Sequence, residues 1–172
     1  MSGSSPWRSS RLVPVLGLVA AMAMSAAGAG VTEATAQPWV PSAPPQPSDL
    51  TPAPEPDESS RRAIDLVILS QWHALRSVDA AASFAYASPR LREMYGTADS
   101  FLAMVQAGYQ PIFAAVRFDF VRFVEFRGYL TREVRLGGSA GAEQEALYMI
   151  TQLPDGSWRI AGCILMAPPA QS

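Results

Sequence analysis

The spacing of apolar residues changes once along this chain, near Pro111, and this change limits the possible folds more than any other feature. Before Pro111, apolar side chains recur every three or four residues, which is the period of an amphipathic helix. After it, they alternate with polar side chains, as in a strand with one buried face. Helices followed by strands predict an α+β fold, with N-terminal short helices packed on one face of an antiparallel sheet.

Four short helices are predicted in the first half. The stripe of the first helix is Ile64, Val67, Ile68, Gln71, Trp72 and Leu75. Side chains that can cap a helix N-terminus precede each helix: Asp57, Ser59 or Ser60 for the first, and Asp79, Ser88 and Thr97 for the next three. Gly108 and Pro111 are expected to end the helical half.

Four strands are predicted after Pro111. The first places apolar residues at even positions, with Arg122 interrupting them: Val116, Phe118, Phe120, Val124 and Phe126. The next three follow Gly128, a flexible "GGSAGAEQ" segment and a Pro154-Asp155-Gly156 turn. We therefore expect a curved, four-stranded antiparallel meander. Its last strand is apolar at both parities and is expected to lie centrally.

Residues 1–36 have the features of a cleavable signal peptide. Arg8 and Arg11 precede an apolar run, and Ala34 and Ala36 fit an A-x-A cleavage site. An uncleaved anchor helix is the alternative, although alanine and glycine dilute the run. We expect a periplasmic or secreted protein that has no membrane contact after cleavage.

Residues 37–57 are rich in proline, which favours an extended, disordered tether. A proline-rich recognition peptide for another domain is the alternative. The folded part is then one α+β domain over residues 58–168, and residues 169–172 form a tail.

Charge and the counts of ligating residues exclude several classes of function. The formal net charge of −2 provides no cationic field for nucleic acid. With one histidine and one cysteine far apart in sequence, no metal-binding spacing exists. We expect no nucleic acid, no metal and no cofactor.

Two residues, His73 and Cys163, are of types that often act in catalysis, one as a general base and the other as a nucleophile. No carboxylate stands near His73 in its own helix, so we expect it to be a packing residue. Cys163 alternates with Ala161 and Leu165 in the last strand, which predicts a buried, inert thiol.

A resemblance to a known family rests on two segments, "SVDAAASFAYASPRLREMYGTADSFLAMVQAGYQPIF" and "DGSWRIAGCIL". Together they resemble a family of short, exported bacterial proteins classed as a domain of unknown function. This family is similar in turn to the nuclear-transport-factor-two-like fold, also called cystatin-like or SnoaL-like. The resemblance implies a bent sheet wrapped around helices as a cone, a pocket in that cone and frequent dimerisation, but no assigned activity.

The candidate site is a small pocket inside the cone, and its expected residues are Gln71, Trp72, Asp79, Tyr86, Tyr109, Arg122 and Trp158. Gln71 and Arg122 interrupt apolar faces, so each needs a buried partner, and Asp79 is the expected partner of Arg122. The alternative is a β-bulge that turns Arg122 out to solvent.

The expected function is a non-catalytic binding or interaction module of unknown ligand. The alternative is an isomerase-like or dehydratase-like enzyme with Asp79 as its acid or base, although a helix cap accounts for Asp79 as well. Val121 and Phe123 add apolar area to the outer sheet face, which predicts a homodimer through that face.

Overall fold

The helices come first and the long strands second, as the change in apolar spacing predicts. The computed structural model describes residues 44–139, 141 and 143–167. Its helices are α1 (Glu58–Arg76), α2 (Ala80–Ala85), α3 (Pro89–Tyr95), α4 (Ala98–Gly108) and α5 (Gln110–Ala114). Its strands are β1 (Thr51–Pro52), β2 (Ala115–Phe126), β3 (Tyr129–Gly138), β4 (Glu143–Gln152) and β5 (Trp158–Leu165). The predictions of a signal peptide and of a tail concern residues outside the described ones.

Each of the first four helices begins at a predicted cap. The side chains of Asp57, Asp79, Ser88 and Thr97 accept a hydrogen bond from the backbone N–H three residues later. Two expectations about the helices were wrong. The first helix is long, with 19 residues, and Pro111 lies in the first turn of α5 instead of ending the helical half. Proline is tolerated there because its missing N–H would have no partner within the helix.

The sheet has five described strands, not four, in the order β1-β2-β3-β4-β5, and all neighbouring strands are antiparallel. The additional strand, β1, lies within the stretch where sequence predicts a disordered tether. It pairs Thr51 with Glu125 and Pro52 with Val124. Proline is compatible with this position because β1 is an edge strand, whose outer side needs no ladder hydrogen bond.

A β-bulge in β2 changes which residues face the helices. Phe120 pairs with Val134 and Phe123 pairs with Arg132, so two residues of β2 lie opposite one residue of β3. The extra residue reverses the alternation beyond the bulge. Phe123 therefore packs in the helix-side core, whereas Val124, which sequence alternation placed there, lies in a second cluster.

The two clusters lie on opposite faces of the sheet. The helix-side core joins buried residues of α1, α4 and α5 to Val134 and Leu136 of β3 and to neighbours on β2, β4 and β5. The outer cluster consists of Val124, Phe126, Leu147, Met149, Ile164 and Met166, against which Leu50, Tyr129 and Ala161 pack. The sheet thus carries buried apolar residues on both of its faces.

β5 is an edge strand, although sequence predicts a central one. The segment between α2 and α3 protects its edge, because Ile160 N–H donates to the Tyr86 carbonyl and Ser88 N–H donates to the Ile160 carbonyl. Both odd and even positions of β5 are apolar because the strand contributes side chains to the clusters on both faces of the sheet. Among the described residues, no helix is both long enough and apolar enough to span a membrane.

Candidate functional site

A cavity of about 600 Å³ lies beside the edge strand β5. Its wall comes from all the described α-helices except α2, from β3, β4 and β5, and from the turn after β2. Residues of both sheet faces contribute, since Tyr148 belongs to the helix-side core and Met149 belongs to the outer cluster. Most of the wall is apolar, including Leu75, Phe101 and Val105. The helix layer therefore does not fill the space beside β5.

Tyr148 brings an unpaired polar atom to the wall of this cavity. The residue is 1% exposed, and its hydroxyl oxygen is buried with no hydrogen-bond partner among the described residues. The Cys163 thiol lies opposite it in the β4–β5 ladder, but sulfur is a weak acceptor. Burial is the largest cause that raises the pKa of the Tyr148 hydroxyl, and the neighbouring Cys163 raises it further. The hydroxyl therefore stays protonated. The Cys163 thiol is at most a weak partner for this hydroxyl, so the buried phenol lacks most of the hydrogen-bond energy that a full partner would supply.

Tyr109 and Cys163 form the rest of the polar wall next to Tyr148. The Tyr109 hydroxyl donates to the Cys163 carbonyl at 2.7 Å, which satisfies an outward-facing carbonyl of the edge strand. Burial raises the pKa of the Tyr109 hydroxyl. Burial also raises the pKa of the Cys163 thiol to about 12, so the thiol is protonated at neutral pH and is a poor nucleophile. This part of the wall is neutral and polar.

Gln71 adds an amide to the same cavity. It is 3% exposed, and its side-chain amide donates to the Ser83 carbonyl at 3.2 Å. No described residue donates to its Oε1. Gln71 therefore has the backbone partner that sequence reasoning demands for a buried amide, and it offers an acceptor to the cavity.

The mouth of the cavity is formed by its exposed lining residues: Pro89, Arg90, Met94 and Arg127. Arg127 and Gly128 form the turn between β2 and β3, with φ values of 53° and 79°. Two successive residues with positive φ give the twist that a two-residue hairpin requires. The turn carries Arg127 and α3 carries Arg90, and both residues line the cavity.

The structure brings two of the seven predicted site residues, Gln71 and Tyr109, to the wall of this cavity. Trp72 is a core residue whose indole N–H donates to the Ile112 carbonyl at 3.0 Å. Tyr86 and Trp158 pack against the helix-side core without lining the cavity. Whether any of these residues binds a ligand stays a prediction.

Asp79 and Arg122 do not form the expected ion pair. Asp79 is exposed and accepts from the Ala82 backbone N–H as the cap of α2. Arg122 lies in the β2 bulge, is 56% exposed and pairs with the largely buried Glu133 at 2.6 Å. This hydrogen bond with Glu133 raises the pKa of Arg122. The alternative given from the sequence, a β-bulge that turns Arg122 out to solvent, is therefore the arrangement that the structure shows.

The bulge also affects the surface expected to form a homodimer. Phe123 is buried in the helix-side core, and Val121 is exposed. Only Val121 of the two residues thus contributes exposed apolar area, and the homodimer stays a prediction.

Neither His73 nor a cluster of metal-ligating side chains forms a second candidate site in the described part of the chain. His73 is exposed near the end of α1 and does not line the cavity. Within the described part of the chain, no group of three or more histidine, cysteine, aspartate and glutamate side chains could hold a metal ion.

Sequence reasoning missed several lining residues, and for one of them a signal exists. Tyr148 alternates with Ala146 and Ile150 in β4, so strand periodicity could have placed its hydroxyl in the core. No comparable signal marks Arg90 or Arg127, because an arginine beside a cavity has the same local sequence as one in solvent.

Comparison with known proteins gives a family but no activity. The model of a family described as a domain of unknown function, DUF4864, matches residues 57–172. No curated protein matches the chain, and no solved structure matches it.

Proposed function

We propose that the chain, which belongs to the DUF4864 family of domains of unknown function, binds a small, largely apolar molecule in the cavity beside β5. The observation that carries the proposal is the cavity volume of about 600 Å³. Ligand sites usually have volumes of about 300–1,000 Å³, whereas protein cores contain few voids larger than a water molecule. A space of this size supports a binding role.

The polar groups of the wall support the same proposal. A typical ligand site combines apolar walls with a few polar groups that orient the ligand. Gln71 offers an acceptor here, and Tyr148 holds a donor without a partner next to the cavity. A ligand hydroxyl or carbonyl could pair with one of them after a small side-chain movement, which would offset the cost of the unpaired phenol.

Binding is proposed in preference to catalysis. The alternative, an isomerase-like or dehydratase-like enzyme, needs an acid or base in the cavity. Asp79 is occupied as a helix cap, and none of the described lining residues is an aspartate, a glutamate or a histidine. No specific observation therefore favours the enzyme.

The test is a titration with N-phenyl-1-naphthylamine, a neutral dye whose fluorescence rises in apolar surroundings. Leu91 lines the cavity in α3, and Leu91→Trp should obstruct it. Leu66 is 65% exposed in α1 and does not line the cavity, so Leu66→Trp is a matched control. We expect saturable binding of one dye per chain by the natural protein and by Leu66→Trp, and at least about tenfold weaker binding by Leu91→Trp.

Two results would count against the proposal. One is the absence of saturable dye binding. The other is equal affinity of the Leu91→Trp and Leu66→Trp proteins, which would place the dye elsewhere on the surface. Circular dichroism of both variants shows whether each retains the fold.

We also propose a distant relationship to the nuclear-transport-factor-two-like fold. Helices that precede an antiparallel sheet and pack on one of its faces support this relationship. A crystal structure whose helices and strands superpose in the same order on a solved member of that fold would strengthen it, and a different strand order would argue against it.

A further inference from the structure

The charge around the cavity has one sign. Of the four exposed lining residues, Arg90 and Arg127 are cationic, and Pro89 and Met94 are uncharged. The described wall contains no aspartate, glutamate or lysine. The charged residues of the described lining are thus two arginines, and both are among its exposed members.

Arg90 is available to a ligand. It is exposed in the first turn of α3, and it makes no ion pair among the described residues. Glu93, one turn further along α3, is not paired with it. Arg127 lies in the turn after β2, with its guanidinium carbon 5.0 Å from the centre of the Phe126 ring. Guanidinium groups are well suited to carboxylate and phosphate oxygens.

The deeper wall cannot neutralise a charge. Its polar side chains are those of Gln71, Ser88, Tyr95, Tyr109, Tyr129, Tyr148, Thr151 and Cys163. None of these is an aspartate, glutamate, lysine or arginine, and burial raises the pKa values of Tyr109, Tyr148 and Cys163. A charged group placed among them would lose its hydration without gaining an ionic partner. A charged head group is therefore favoured at the mouth and disfavoured inside.

We infer that the ligand is an amphiphilic anion: its apolar part fills the cavity, and its acidic head group, a carboxylate or a phosphate, binds Arg90 at the mouth, where Arg127 adds a second positive charge. This inference rests on the proposed function, because it specifies the ligand class of the same cavity. The head group stays partly hydrated at the mouth, so binding it there avoids most of the desolvation cost of burying a charge.

The experiment is a competition against bound N-phenyl-1-naphthylamine by four molecules with the same twelve-carbon chain. These are dodecanoate, dodecyl phosphate, 1-dodecanol and dodecyltrimethylammonium, each used below the concentration at which it aggregates. We expect either or both of the two anions to bind about fivefold more tightly than the alcohol, and the cation to bind most weakly. The advantage of the anion should shrink as salt is added.

Single arginine substitutions test whether the preference for anions arises at the mouth of the cavity. Arg90→Gln should reduce the advantage of the anion over the alcohol to less than about twofold while leaving alcohol affinity unchanged. Arg127→Gln should act in the same direction. Arg62→Gln is the matched control, because Arg62 is exposed in α1, pairs with Glu58 and does not line the cavity. It should keep the full preference.

The outcomes separate this inference from the proposed function. If all four molecules displace the dye equally, and Arg90→Gln changes nothing, the anionic class is wrong and the binding cavity stands. If the dye itself does not bind, the proposed function fails first. A preference for the anions that persists in Arg90→Gln and in Arg127→Gln would also overturn the assignment to the mouth.

Discussion

Arg132 and Asp65 form an ion pair that joins β3 to α1. Their Nε and Oδ1 atoms are 3.0 Å apart, and their side chains are 7% and 15% exposed. The guanidinium carbon of Arg132 also lies 4.9 Å from the centre of the Phe120 ring and 4.3 Å from that of Phe123. Removing one partner of a buried ion pair leaves an uncompensated buried charge. This destabilises a protein more than replacing both partners with apolar residues does.

Asp65→Asn is therefore expected to lower the free energy of unfolding by about 3 kcal/mol, because Arg132 would remain charged between its two aromatic neighbours. Urea denaturation followed by tryptophan fluorescence measures this change. Glu58→Gln is the matched control: its partner Arg62 is solvent-exposed, and loss of such a surface pair costs less than about 1 kcal/mol. If the two variants lose the same free energy of unfolding, the buried ion pair between Arg132 and Asp65 contributes no more to stability than the exposed pair does.

At the scale of elements, β1 and the β2 bulge decide how the sheet is arranged. The bulge directs Phe123 to the helices and Val124 to the outer cluster. β1 then pairs with β2 just beyond the bulge, and Leu50, next to β1, packs on the outer cluster. A segment that composition alone describes as a tether thus supplies a strand and an apolar side chain to the fold.

Leu50→Ala tests whether this segment stabilises the fold in solution. We expect a loss of about 1–2 kcal/mol in the free energy of unfolding, since Leu50 is partly buried against the outer cluster. Leu66→Ala removes the same atoms from a residue that is 65% exposed, and it should change stability by less than about 0.5 kcal/mol. A Leu50→Ala protein as stable as Leu66→Ala would mean that the segment before α1 behaves as the predicted tether.

Sequence patterns predicted the local structure better than the contacts between elements. The caps Asp57, Asp79, Ser88 and Thr97 act through neighbouring backbone groups, so their sequence context is sufficient. The bulge in β2 and the position of β5 in the sheet depend on pairing with other strands, which a single-sequence period does not encode.

The same distinction applies to the site. Gln71 could be identified because it interrupts an apolar stripe, whereas Arg90 and Arg127 are unremarkable until α3 and the turn after β2 are placed on either side of one cavity. The period alone pointed Arg122 into the core, and only the alternative of a β-bulge accounts for its exposed position, because one extra residue reverses the face of the residues beyond it.

At the scale of the whole molecule, the helices cover one face of the sheet but leave a cavity beside its β5 edge. The neutral polar wall and the cationic mouth follow from which elements meet there, and together they support a binding role for an amphiphilic anion. Export and the homodimer stay predictions, the first because residues 1–36 lie outside the described part of the chain.

The most direct test of binding in the cavity is methyl NMR of the protein labelled with ¹³C in its methionine methyl groups. Met94, Met104 and Met149 line the cavity, whereas Met166 lies in the outer cluster and does not line it. Each signal can be assigned by a single Met→Leu variant. Titration with N-phenyl-1-naphthylamine should shift the signals of Met94, Met104 and Met149 in a saturable way and leave Met166 nearly unchanged. Saturable dye binding without shifts at these three methionines, or with an equal shift at Met166, would contradict a ligand site in the cavity.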